Sequence, residues 1–258
     1  MSLWGFYLSL TCYFYPVNFE LFSSSSDINI QTLISVLLAN GNLANRLKAY
    51  YRIGPHNKEI ISIIYGTLLG DSHAELRESG NGTRIGFYQE ADHSEYLLWL
   101  HNKIALQGYC NPNTPVIQTR LAKGGKIRNI LRFHTFTYTS FNTIHTDWYI
   151  NGVKHVPNNI AEFLTPLALA IWIMDDGARV GSGLKLCTNS FTFEDTTHLT
   201  LVLKDLYGII SSVQSAGFPN QYVIYIWSES MPIVRKLVKP YMVSSMLYKL
   251  GDVSMKKV

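Results

Sequence analysis

One pattern, met twice, constrains this chain more than any other: an apolar stretch of helix length that ends on a carboxylate. The first copy, Ile64-Tyr65-Gly66-Thr67-Leu68-Leu69-Gly70-Asp71, closes a run that starts near Lys58 and includes Ile60, Ile61 and Ile63. The second, Leu169-Ala170-Ile171-Trp172-Ile173-Met174-Asp175-Asp176-Gly177, closes a run that starts near Leu167. A carboxylate at a helix C-terminus opposes the helix dipole, at a cost of roughly 0.3–1 kcal/mol. A bound divalent cation would compensate. Gly66 and Gly70 take the Cβ out of one helix face, so a second helix can approach closely. If the two helices pack together, Asp71 and Asp176 meet, and paired carboxylates repel unless a proton or a cation intervenes. Mg²⁺ favours such oxygen ligands, completed by water and phosphate oxygens.

The order of elements around these runs repeats as well. After Gly54-Pro55 the pattern predicts a helix over 58–70 and a hairpin of Ala74–Glu78 and Thr83–Gln89, turning at Gly80-Asn81-Gly82. An amphipathic helix over 93–107 follows, with Tyr96, Leu97, Trp99, Leu100 and Ile104 on its apolar side. A second hairpin runs Val116–Ala122 and Lys126–Tyr138, turning at Lys123-Gly124-Gly125. Then come the second acid-ended helix, a strand at Leu184–Thr188, a helix at Glu194–Leu206, a β-rich run at Gln221–Trp227 and a last helix over Met231–Val238. The acids stand about a hundred positions apart, a spacing longer than solenoid repeats and suited to a duplicated domain.

At this point the two segments resemble the paired signature of LAGLIDADG homing endonucleases, in particular the monomeric group encoded in fungal mitochondrial introns. The second copy carries most of the likeness: Pro157-Asn158-Asn159, Leu164-Thr165-Pro166, the Trp172–Gly177 segment and Asn189-Ser190-Phe191-Thr192. The likeness covers approximately residues 57–250 and does not extend into 1–50. Ser72 replaces the glycine after the first acid, and Leu69 and Met174 stand where the signature has its earlier acid. The resemblance implies an α+β fold of two pseudo-symmetric αββαββα halves, with paired central motif helices and antiparallel DNA-binding saddles. Its halves would span 57–156 and 157–250, between a leader of uncertain structure at 1–56 and a tail at 251–258.

It further implies metal-dependent hydrolysis of a phosphodiester bond in each strand of a long, asymmetric double-stranded DNA target. Asp71 and Asp176 would hold two or three divalent ions, Mg²⁺ in the first instance, helped by the backbone carbonyls of Gly70 and Asp175. Lys154 and Lys249 match the basic residue that the family carries near the site in each half. Gln89 could also approach that site. The same fold serves RNA maturases that assist group I intron splicing, so the chain's own intron RNA is the alternative partner. No protein partner is required, and the implied location of an organelle-encoded protein is the mitochondrial matrix.

Charge supports a nucleic-acid partner more clearly by its distribution than by its total. The formal net charge is only +4 over 258 residues. Between Tyr96 and Thr146, however, there is no Asp or Glu, while Lys103, Arg120, Lys123, Lys126, Arg128 and Arg132 all fall there. Residues two apart share a strand face. Lys126, Arg128, Arg132 and His134 therefore share one, interrupted by Ile130, and Ile127, Leu131 and Phe133 the other, with Gln118 and Arg120 joining the polar side. A ribbon of this kind suits the major groove, where Arg reads guanine and Gln reads adenine. Arg77, Arg84 and Gln89 extend the candidate face in the first half. Lys185, Thr188, Asn189, Gln221, Tyr222 and Tyr225 are its candidates in the second.

Other classes find little support. Cys12, Cys110 and Cys187 form neither a disulfide framework nor a zinc cluster. No glycine-rich phosphate loop, G-x-S-x-G or H-E-x-x-H appears. Met1–Phe19 carries no charge but lacks a basic n-region and is rich in aromatic residues, so it reads as a leader rather than a signal peptide or membrane span. After Ser23–Ser26, residues 28–50 include a short amphipathic pattern.

Overall fold

The computed structural model describes residues 48–78, 81–121 and 124–251. Most of the expected leader, the greater part of the amphipathic pattern at 28–50, Gly80, Ala122, Lys123 and all of the tail but Gly251 lie outside the described residues.

The first acid-ended run forms helix α1 (Lys58–Leu69), started by Asn57, whose side chain accepts a hydrogen bond from the Glu59 amide. Strands β1 (His73–Arg77) and β2 (Gly82–Glu90), helix α2 (Ser94–Leu106) and strands β3 (Gln118–Leu121) and β4 (Ile127–His134) follow. Helix α3 (Asn142–Trp148) and a small hairpin, β5 (Tyr149–Ile150) with β6 (Val153–Lys154), complete the first half.

The second acid-ended run is α4 (Pro166–Asp176). Thr165 caps it, accepting from the Ala168 amide, and Pro166 occupies the first turn, where its missing N–H costs nothing. Then come β7 (Gly177–Val180), β8 (Gly183–Cys187), α5 (Phe193–Tyr207), β9 (Ser211–Ser215), β10 (Tyr222–Ile226) and α6 (Met231–Val238). A 3₁₀ segment, Ser244–Leu250, returns the chain to the end of α4.

Each half holds a four-stranded antiparallel sheet of the same topology, β1-β2-β4-β3 and β7-β8-β10-β9. One core joins them. Ile63, Ile64 and Leu68 of α1 and Leu169, Ile171, Trp172 and Ile173 of α4 are fully buried in the same cluster as Ile85, Phe87, Leu184 and Ile224 from the sheets. The helices touch because α1 presents glycine. A Cβ built on Gly66 would lie 2.6 Å from the Ala168 carbonyl oxygen and 2.9 Å from its Cα, and one on Gly70 would lie 2.5 Å from the Asp175 Cβ. These two contacts, one along each helix and one at its end, bring the acid-bearing ends of α1 and α4 together. The expected two-half α+β architecture is the one found.

Helix α3 and strands β5, β6, β7 and β9 are absent from the element-by-element reading of the sequence. Ile127 shares a strand face with Leu131 and Phe133, as expected, but is not covered as they are. It is 66% exposed, because β3 and the start of β4 project beyond the helices that cover the rest of the sheet.

Candidate metal centre and nucleic-acid face

Asp71 follows α1 after one glycine, and Asp176 is the last residue of α4. A single side chain ties this end of the interface together. The Gln89 amide nitrogen donates to Asp71 Oδ2 at 2.6 Å and to Asp175 Oδ1 at 3.3 Å. The Gln89 Oε1 faces His93 Nδ1 at 3.3 Å. Gln89 is buried against Asp71 and Asp175 and does not lie on the outer sheet face, so its expected place among the DNA contacts is corrected.

The two lysines arrive by different routes. Lys154, at the end of β6, donates to the Ser72 carbonyl at 2.9 Å, with its ammonium 5.8 Å from the centres of both the Trp148 and Phe191 rings. Lys249 is only 4% exposed, and its ammonium donates to the carbonyls of Met174 at 2.5 Å and Asp175 at 3.1 Å. The Asp175 carbonyl, an expected metal ligand, is thus engaged by a cation of the chain itself.

Burial and like charge set the electrostatics. Burial first, and the Asp71 charge second, raise Asp176 to about 7, with Lys249 and Lys154 pulling the other way. The same two causes push Asp175 well above the usual carboxylate range, opposed by Tyr96 and Lys249. Burial draws Lys154 down to about 8 and also lowers Lys249, while the neighbouring aspartates hold both up. Carboxylates that raise one another's protonation are a group short of positive charge.

Among the described residues no three His, Cys, Asp or Glu side chains form a metal site by themselves. The donors nevertheless fit a divalent cation of the Mg²⁺ type. They are hard oxygens, they repel one another, and they leave positions for water and phosphate oxygens, which such an ion keeps.

Strand register decides which candidate contacts share the outer face of the first sheet. Glu75 pairs with Arg84, Gly86 with His134, Tyr88 with Arg132 and Arg120 with Arg128, so these side chains lie on one side together with Arg77, Gln118 and His73. Two acids absent from the sequence argument also belong there. Glu75 forms ion pairs with Arg77 at 2.9 Å and Arg84 at 2.7 Å, and Glu90 pairs with Arg128 at 3.3 Å. Arg132 donates to Gln118 at 3.1 Å. The face is therefore preorganised and less positive than a count of its arginines suggests. Lys126 sits in the turn just ahead of β4, and Lys123 lies outside the described residues.

In the second sheet Lys185 and Tyr225 are register partners on the outer face, with Cys187 and Gln214 beside them. Two candidates require correction. Thr188 is buried, its hydroxyl donating to the Tyr222 carbonyl at 2.8 Å. Tyr222 alternates with Tyr225 and turns to the helix side, its ring 5.2 Å from that of Phe193. Asn189 and Gln221 are held to each other by a 2.9 Å hydrogen bond. Sequence reasoning missed Cys187 and Gln214, although alternation from Lys185 and Tyr225 would have found both.

Paired helices that deliver two acids between two matched antiparallel sheets define the LAGLIDADG class. A model described as the LAGLIDADG DNA endonuclease family matches residues 61–234, and the chain belongs to that family. It is 50% identical over 224 residues to the cytochrome b mRNA maturase bI2 of Debaryomyces hansenii, covering 87% of this chain and 83% of that one. The protein of the same name from Saccharomyces cerevisiae is 50% identical over 222 residues, which span 83% of this chain and about half (52%) of the relative. Intron-encoded endonuclease ai4 of Dictyostelium discoideum is 35% identical over 149 residues, 56% of this chain and 93% of that protein. Among solved structures, the homing endonuclease I-WcaI bound to its DNA recognition sequence superposes with a TM-score of 0.68 at 19% identity. It covers 93% of this chain and 98% of that one, and shows the fold.

Proposed function

We propose that this chain is a site-specific endonuclease that hydrolyses one phosphodiester bond in each strand of a long, asymmetric double-stranded DNA site during intron homing. The observation that carries the reading is the junction of Asp71 and Asp176 at one end of paired helices, each half adding a lysine, between two sheets with polar outer faces. Two or three Mg²⁺ ions would be held by Asp71 and Asp176, with the Gly70 and Asp175 carbonyls as further donors. When bound they would supply charge neutralisation and activation of water for in-line displacement at phosphorus.

The residues of the chain then have distinct tasks. Arg84, Arg120, Arg128, Arg132 and His134 in the first sheet, and Lys185 and Tyr225 in the second, would bind and orient the duplex. Arg77, Gln118, Lys126, Asn189 and Gln221 border these positions. Lys154 and Lys249, held beside the acids by backbone carbonyls, would offset negative charge as it builds on the phosphate. The protein would act in the mitochondrial matrix, and no protein partner is needed for this chemistry.

A second reading, RNA maturase for a group I intron, is favoured by the two relatives named cytochrome b mRNA maturases. One pair of assays separates them. A plasmid carrying the joined-exon sequence is incubated with protein with and without Mg²⁺, and the precursor RNA is tested for assisted splicing. The nuclease reading expects cutting that needs Mg²⁺ and is lost in Asp71→Asn and Asp176→Asn. Splicing that both substitutions spare, with no cutting by the unaltered chain, would establish the maturase instead.

A further inference from the structure

We propose that the Asp175 side chain is a positioning residue for the metal centre: it crosses from α4 into the first half and fixes the Gln89 amide that holds Asp71. This deepens, and rests on, the reading of Asp71 and Asp176 as ligands of a divalent ion. Three observations carry it.

The first is a made-to-measure notch. Gly70 has no side chain, and a Cβ there would lie 2.6 Å from Asp175 Oδ2. The carboxylate of one motif helix occupies the space vacated at the matching position of the other. Gly70 thus explains how Asp175 fits, and Asp175 explains why Gly70 must lack a side chain.

The second is the company Asp175 keeps. Besides Gly70 its side chain meets Gln89, at 3.3 Å from Nε2, which is also in the first half. Its Oδ2 is enclosed against Gly70 without an N–H or O–H in hydrogen-bonding geometry, so the group is not explained by local capping. A buried carboxyl oxygen without a hydrogen-bond partner costs stability.

The third is the logic of the Gln89 amide. Its nitrogen has two hydrogens, one directed to Asp71 Oδ2 and one to Asp175 Oδ1, while its oxygen faces His93. Turning the amide over would set its carbonyl oxygen against Asp71 Oδ2 and leave Asp175 Oδ1 without its donor. Asp175 therefore engages the second N–H of the orientation in which Gln89 donates to Asp71. One Asp71 oxygen is fixed by that bond, and the remaining lone pairs are left for a cation. Outer partners of metal-binding carboxylates commonly change affinity ten- to a hundredfold. The second half has no equivalent device. Register places Thr188 where Gln89 stands in the first, and Thr188 turns away to the Tyr222 carbonyl. The two ends of the metal centre are thus held unequally.

The test is Mn²⁺ binding to the full chain, read by electron paramagnetic resonance, in the unaltered protein and in Asp175→Ala, Asp175→Asn, Gln89→Met and the Asp175→Ala/Gln89→Met double variant. Asp175→Ala and Gln89→Met should each weaken binding about tenfold. The double variant should be no weaker than either single one, because both changes break one unit. Asp175→Asn, which keeps an oxygen to accept from Gln89, should stay close to the unaltered chain. Gln89→Met keeps volume, and Asp175→Asn keeps shape, so the comparison survives if the alanine variant does not fold. Equal binding by Asp175→Ala, additive losses in the double variant, or an Asp175→Asn as weak as the alanine would overturn the inference. So would a chain that binds no Mn²⁺, and the metal reading would fall with it. If Mn²⁺ binds as described but no DNA is cut, the nuclease function fails and the positioning role stands.

Discussion

Gly66→Ala sets two effects against each other, and the structure decides the sign. In a helix interior alanine is favoured over glycine by about 1 kcal/mol, so propensity alone predicts a more stable protein. The new Cβ, however, would lie 2.6 Å from a backbone oxygen and 2.9 Å from a Cα of Ala168. Neither atom can turn aside as a side chain could, so α1 and α4 must separate locally by most of an ångström to restore ordinary contact. Overpacking of this kind costs roughly 1–3 kcal/mol, and here the rigid partner favours the upper end. The expected net effect is a loss of about 1–2 kcal/mol, or roughly 3–6 °C in Tm for a chain of this size. DNA cleavage should fall further than stability, by about tenfold or more, because the separated helices carry Asp71 and Asp176 at their ends. Calorimetry and a plasmid-cutting assay on the same preparation test both parts. A Gly66→Ala protein with a raised Tm and unchanged cutting would refute the helix-contact argument.

Three further outcomes are expected. Asp176 titrates near 7 in the absence of metal, so a cation competes with a proton below that pH and meets a free carboxylate above it. The Tm gain on adding Mg²⁺ should therefore grow from pH 6 to pH 8, and a gain independent of pH would contradict the site. Lys249→Met takes the donor from the Met174 and Asp175 carbonyls and a counter-charge from the acids, so Tm should fall, and cutting should drop by at least tenfold even at a temperature where the variant is fully folded; intact cutting by the folded variant would assign Lys249 a structural role only. His56, between Tyr109 and Ser140, is drawn by burial from 6.5 to about 4. The unfolded chain then takes up a proton first, so stability present above 6.5 is lost as pH falls toward 4. The loss, discounted for the part-exposed ring, is about 1–2 kcal/mol, and the acid limb of the Tm profile should flatten in His56→Gln.

Much of this architecture is legible in the sequence because periodicity reports burial. The motif helices announce themselves as apolar runs, and the structure adds their caps, Asn57 and Thr165. The outer face of β4 follows from alternation with two limits: Ile130 interrupts it and is buried, and periodicity says which side of a strand is apolar, not whether anything covers it, hence the exposed Ile127. The missed elements divide by cause. The β5–β6 hairpin carries Asn151-Gly152, both at positive φ, which is the turn such hairpins favour, so its signal was present and overlooked. Strand β9, Ser-Ser-Val-Gln-Ser, is polar and owes its form to pairing with β10, which no local pattern reveals.

The site shows the same division. Both acids stand out by their place at the ends of apolar runs, whereas the two lysines are reached only through the family resemblance. The Glu75 and Glu90 ion pairs, the inward turn of Thr188 and the Gln89–Asp175 contact depend on register and on packing between halves. Those are long-range facts that residue order does not print.

The most direct test is a crystal structure of the chain grown with Mn²⁺ and a duplex spanning the joined-exon sequence, with the anomalous signal locating the ions. Manganese peaks between the Asp71 and Asp176 oxygens and against the phosphates of both strands are the predicted result. Peaks confined to other surfaces, or the two carboxylates turned apart with DNA bound on another face, would contradict it.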